Sequence, residues 1–192
     1  NIENSKGFYG LDAKYEFSNK DNDAFPTLGM QVTLNTGYKN NIDSAKGFAY
    51  VIPEVGFDYK LIPTGQLVLA TNLRAHLNLG DDFEFYQAAT IGANTGLRGY
   101  RNERFTGKNA FGQTTDLRWN FSNLKTGLIP INIGLYGGFD YGRIWVDNNL
   151  VLNSTFNNNQ WNTSIGGGVF VTIAELMTAN ISTFTSEDGL RL

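Results

Sequence analysis

A chain of 192 residues with a formal charge of −3, one histidine and no cysteine has no basic field for nucleic acid, no disulfide and no thiolate or His-rich metal site. Its hydrophobic share of 41% and charged share of 17% fall below the soluble averages of about 45–50% and about 25%, with Gly, Asn and Thr filling the gap. No run reaches the roughly 20 apolar residues of a membrane helix and no signal peptide is visible at Asn1, so hydropathy reads as soluble. The exception is a membrane β-barrel, whose spanning segments are only half apolar.

Period-two alternation runs through most of the chain, and the length suits one domain. A first strand is predicted over about 7–17. The polar stretch "NKDNDAFP" (19–26) then leads to "TLGMQVTLNTGY", with Leu28, Met30, Val32, Leu34 and Tyr38 on one face and Gly29, Gln31, Thr33, Asn35 and Gly37 on the other. A third strand covers about 47–60. The fourth, "QLVLATNLRAHLNLG" (66–80), sets Leu67, Leu69, Leu73, Leu77 and Leu79 against Gln66, Asn72, Arg74, His76 and Asn78.

The pattern stops from Asp81 to Ala110 and then resumes. "GQTTDLRWNF" sets Leu117, Trp119 and Phe121 against Thr114, Asp116, Arg118 and Asn120. "IPINIGLYGGFDYG" sets Ile129, Ile131, Ile133, Leu135, Phe139 and Tyr141 against Asn132, Gly134, Gly138 and Asp140. "WNTSIGGGVFVTI" follows with Trp161, Ile165, Val169, Val171 and Ile173 on its apolar face. Further strands are predicted at about 177–185 and from Gly189 onward.

These segments are as long as the about 9–11 residues of a tilted membrane strand, or longer, whereas soluble strands average about 5–6. Their polar faces are rich in Gly, Asn, Thr and Ser. Alternation alone does not say which face meets water, but strand length and glycine content favour a barrel with its apolar face outward. Tyr9, Tyr38, Trp119, Phe121, Tyr141, Trp145 and Trp161 lie near strand ends, as in interfacial girdles. Short connections, "LIPTG" (61–65), "SNLKTG" (122–127) and "TIAEL" (172–176), alternate with longer ones at 38–47, 81–110 and 143–160. The stretch 19–26 is longer than its place among the short turns predicts.

Patternless segments as long as 81–110 are usually functional or disordered. This one contains "FEFYQAATIG", too apolar for water, and is expected to fold back into the lumen. Gly96 and Gly99 flank Leu97-Arg98 and permit a tight tip. A confined Arg98 needs a carboxylate, held through a bidentate pair. Asp140 is the first candidate because it faces inward between Gly138 and Gly142. Asp116 is the second, although Arg118 on the same face is able to satisfy it. Arg101, Glu103, Arg104 and Lys108 read as solvated loop charges, and His76 as a hydrogen-bonded wall residue. The "GGG" at 166–168 lies mid-strand, so it is not a phosphate loop.

"GANTGLRGYRNERFTG", "GGFDYGRIW" and "SIGGGVFV" together resemble the outer-membrane protein assembly factor, or bacterial surface antigen, superfamily. That superfamily contains the barrel-assembly insertase and the two-partner secretion transporters. The resemblance implies an all-β, antiparallel transmembrane β-barrel in the bacterial outer membrane. Residues 1–192 would be the C-terminal part of that domain, roughly strands 8 to 16 of sixteen with the last one truncated. It implies that the loop tip, Arg98, Gly99 and Tyr100, pairs with the inner-wall acid Asp140. Asp116, Arg118 and Arg74 are secondary lumen candidates.

The implied role is inserting or translocating polypeptide, or anchoring and exporting an attached domain. The alternative is a passive pore or structural barrel anchoring an N-terminal enzyme, such as the metallophosphoesterases that carry similar barrels in the Bacteroidetes. A soluble β-sandwich or ligand-binding barrel is a third reading. No catalytic residues, metal ligands or cofactor site are expected in this chain, and any catalytic domain would lie upstream. Expected partners are the lipid bilayer, the remaining strands of the barrel or another polypeptide, and a client or attached polypeptide. An open half-barrel would expose unpaired strand edges at several kcal/mol per unsatisfied group, so further strands are expected to complete it.

Overall fold

The computed structural model describes residues 7–44, 46–80, 82–121, 124–125, 130–146, 160–174 and 176–192. Asp81, Asn1, most of the 122–127 turn, the greater part of the 143–160 connection, Ile129 and Glu175 lie outside the described residues.

The long strands are β1 (Phe8–Ser18), β2 (Gly29–Asn41), β3 (Gly47–Lys60), β4 (Leu67–Leu79), β7 (Asn109–Asn120), β9 (Pro130–Trp145), β10 (Asn162–Ile173) and β11 (Met177–Ser186). Shorter ones are β5 (Ala89–Ile91), β6 (Phe105–Gly107), β8 (Leu124–Lys125) and β12 (Gly189–Arg191). All but β5 and β6 form one antiparallel meander, β1-β2-β3-β4-β7-β9-β10-β11-β12, with β8 pairing β9. β5 and β6 pair with each other inside the 82–108 loop. Among the described residues no helix is long and apolar enough to cross a membrane, which says nothing about strands.

Several strand limits differ from the sequence expectation, and β2 runs on through Lys39, Asn40 and Asn41, which pair with Gly10, Tyr9 and Phe8. β7 begins at Asn109 and β9 continues through Arg143, Ile144 and Trp145, residues assigned above to loops. Asn109 through Asn120 pairs with Trp145 through Gly134, so each extension satisfies the other's backbone groups.

Directly opposed residues of an antiparallel pair share a face, so the register carries the face assignment across the sheet. Leu69, Leu117 and Gly137 form one row on the apolar face, and Ala70, Asp116 and Gly138 form its neighbour on the polar face. The apolar face is the exposed one: Leu11 is 79% accessible, Ile181 73% and Trp119 59%. The polar face holds the buried side chains, among them Val68, Asp140, Asn162, Ser164, Phe170, Thr172 and Phe184. This is the reverse of a water-soluble sandwich and the arrangement of a barrel whose outside meets lipid. It removes the soluble reading.

The sheet is strongly curled. Asp21 pairs with Leu28 at the β1–β2 end of the meander, yet the Ala24 carbonyl accepts a 3.0 Å bond from Thr178 Oγ1 on β11. β2 and β11 are six places apart in strand order, about 29 Å in a flat sheet at about 4.8 Å per strand. Three residues from Asp21 to Ala24 reach at most about 11 Å. Only a sheet wrapped toward the turn brings them together.

The apolar core is inside the curl, between sheet and loop. Ala89, Ile91, Leu97, Tyr100 and Phe105 of the loop pack with Ala110 and Ile144 of the wall. A smaller cluster joins Phe83 and Ala88 to Phe48. Phe85 and Tyr86 are exposed, so only part of "FEFYQAATIG" folds inward.

Candidate functional site

The loop between β4 and β7 turns sharply at Gly96, whose φ of 113° suits glycine. Leu97 is fully buried and anchors the tip, and Arg98 then points at the inner wall. The Arg98 backbone N–H donates to Asp140 Oδ2 at 2.8 Å. Its guanidinium donates to Asp140 Oδ1 from Nε at 3.0 Å and from Nη2 at 2.6 Å. The same guanidinium donates to Asp116 Oδ1 at 2.7 Å and to Asp116 Oδ2 at 3.2 Å. One arginine therefore bridges two carboxylates on adjacent strands, using the planar fork that lysine lacks. Asp140 and Asp116 both belong to the site.

Asp140 is completely buried, and Ser164 Oγ donates a further 2.7 Å bond to its Oδ2. Gly99 N–H donates to Ser164 Oγ at 3.2 Å, and Ser186 Oγ donates to the Gly99 carbonyl at 2.7 Å. The tip backbone is thus held by β9, β10 and β11. The Phe184 ring lies 4.1 Å from the Arg98 guanidinium carbon, a cation–π contact in a desolvated setting. Glycines make room for this stack. A Cβ on Gly138 would sit 2.7 Å from Arg98 Nη2 and 2.8 Å from Phe184 Cζ, and one on Gly166 2.5 Å from Phe184 Cγ.

Tyr100 is 1% exposed and packs edge-on against Phe105 with centroids 5.1 Å apart, in the cluster that joins the loop to Ala110 and Ile144 of the wall. Arg118 pairs with Asp58 on β3 and not with Asp116. Arg74 lies 3.8 Å from Glu54 and lines a cavity that also reaches Thr95 and Gly96 of the loop. His76 stands against Tyr50 on the wall, ring centroids 6.4 Å apart.

Arg104 is no solvated loop charge. Its Nε donates to Asp188 Oδ2 at 2.6 Å and its Nη2 to Asp188 Oδ1 at 3.2 Å, tying the loop to the β11–β12 turn. Ser164, Phe184, Ser186 and Asp188 are absent from the sequence-level site. Only Ser164 could be placed on the inward face from the alternation, and nothing local in the sequence links these residues to Arg98 or Arg104. Among the described residues no group of three or more His, Cys, Asp or Glu is placed to hold a metal ion.

The geometry defines an antiparallel β-barrel fold of the transmembrane kind, with a loop docked on its inner wall. The fold is that of the structure reported as BamA from Haemophilus ducreyi lacking POTRA domains 1–3, with a TM-score of 0.71 and 13% identity. The similarity covers 93% of this chain and 38% of that one, so this chain spans well under half of its length. No family model matches the sequence, and no curated protein does.

Proposed function

We propose that this chain belongs to an outer-membrane β-barrel of the assembly-factor kind, which inserts or translocates polypeptide or exports an attached domain. Its surroundings are then the lipid bilayer and further strands, of its own or another polypeptide, that pair the edges of β1 and β12. The supporting observation is the tip lock: Arg98 held by Asp140 and Asp116 across β7 and β9, with the tip backbone held by β10 and β11. A loop fastened to the inner wall at this many points favours this reading over a passive pore. The chain itself performs no catalysis in this reading.

The test uses the full-length protein reconstituted in liposomes. Insertion or translocation of a radiolabelled outer-membrane client is compared between the parent and Arg98→Ala, alongside single-channel conductance. Client handling that falls in the variant supports the reading. A large, steady conductance in both proteins with no client handling would establish the passive pore instead.

A further inference from the structure

The turn between β1 and β2 is longer than a hairpin needs, since about 2–5 residues suffice. It does not hang below the sheet. Asp21 organises it, accepting from Thr27 N–H at 2.8 Å, Leu28 N–H at 3.1 Å and the Thr27 hydroxyl at 2.5 Å. Asn22 Oδ1 accepts from the N–H groups of Ala24 and Phe25 at 2.8 Å and 2.9 Å. These local bonds drive Phe25 toward the interior. Its ring stacks on Phe170 of β10 with centroids 4.6 Å apart, and the Arg118 guanidinium of β7 lies 5.0 Å from the ring centre. Thr178 of β11 fastens the Ala24 carbonyl, and Lys20 lies 3.7 Å from Asp58 of β3. The turn therefore reaches across the inside of the curl at the end opposite the long loop.

Between loop and turn the lumen is hollow and polar. One cavity of about 270 Å³ abuts Thr95 and Gly96 of the loop tip. Another of about 270 Å³ abuts Lys20 and Pro26 of the turn. Both are lined by Glu54, Asn72 and Thr114, so they adjoin along one stretch of wall.

We propose that the turn 19–28 is a second plug, closing the end of the lumen opposite the long loop, so that the two enclose a polar chamber. The inference rests on the barrel reading proposed above. It implies that polypeptide does not pass straight through the lumen while both plugs are seated.

The chain has no cysteine, which makes thiol probes selective within it. Thr114→Cys reports on the chamber wall in the full-length barrel. A bulky maleimide should react slowly with the parent and about tenfold faster when Phe25→Ala and Thr178→Val are combined, because the turn then opens locally. Equal rates in the two backgrounds would overturn the proposal. Should the double variant not fold, a second measurement decides. A short bifunctional thiol reagent should link Ala24→Cys to Thr178→Cys with Phe25 intact, and absence of the link in a folded barrel would show an undocked turn. If the parent lacks the heat-modifiable mobility of a barrel, the barrel reading fails, and that result is distinct from failure of the plug.

Discussion

Asp140 accepts both the backbone N–H of Arg98, at 2.8 Å, and its guanidinium, at 2.6 Å. A single buried carboxylate thus fixes the main chain and the side chain of the loop tip together. Removing the arginine leaves Asp140 buried without its cation, a change that typically costs about 3–5 kcal/mol. Arg98→Ala is expected to release the loop, seen as new protease cleavage between residues 82 and 108 in a barrel that still shows heat-modifiable mobility. Arg98→Lys should give only partial protection, because an ammonium cannot fork between two carboxylates.

Two glycines of the same region should respond in opposite ways. A Cβ on Gly99 would stand 2.6 Å from Ser164 Cβ and 2.9 Å from the Thr185 carbonyl, with rigid backbone on one side. Gly99→Ala should undock the tip. Gly137 faces outward with nothing within 4 Å of a built Cβ, so Gly137→Ala should leave loop protection unchanged. Limited proteolysis of the two variants side by side checks this.

The fold was largely legible because strand periodicity is a local property. The faces at 28–38, 66–80, 114–121 and 161–173 could be read residue by residue. Which face turns outward is not written in the alternation, which is symmetric, but strand length and the glycine content of the polar faces point to the apolar one. The Arg98 site was half legible. Gly-flanked Leu97-Arg98 marks a tip, and inward parity marks Asp140 and Asp116. The cushion of Phe184 and the bonds from Ser164 and Ser186 depend on how far the sheet curls, which no short window encodes. Phe25 was a missed signal: one large aromatic ring in a polar turn is rarely left to water when it has somewhere to pack.

The Arg104–Asp188 pair lies nearer the loop's mouth, with side chains 16% and 25% exposed. Such a pair contributes about 0.2–1 kcal/mol and weakens with salt. Asp188→Asn should raise hydrogen exchange in Phe105–Gly107 modestly while leaving Arg98 protected. The difference between variant and parent should shrink as ionic strength rises.

The 19–28 turn should loosen in acid. Partial burial pushes the Asp21 carboxyl up, but bonds from Thr27 and Leu28 and the nearby Lys60 outweigh it and hold the pKa at about 2, below the usual 3.8. A depressed carboxylate stabilises the fold above its unfolded pKa, and the benefit is lost as pH falls from about 4 toward about 2. Thiol accessibility at Thr114→Cys, read with an acid-tolerant reagent, should rise across that window. In an Asp21→Asn background it should be raised already at neutral pH and change little with acid.

The central claim is that Arg98 and Asp140 act as one lock, and a double-mutant cycle tests it most directly. Neutral truncations suit the site better than a charge swap, since a glutamate at 98 would face Asp116. Arg98→Ala, Asp140→Ala and the double variant are compared by the protease protection of residues 82–108 in the folded barrel. The account predicts that the double costs less than the sum of the singles, with a coupling of about 0.5–3 kcal/mol. Strictly additive losses would show that the two residues stabilise the loop independently, and would contradict the lock.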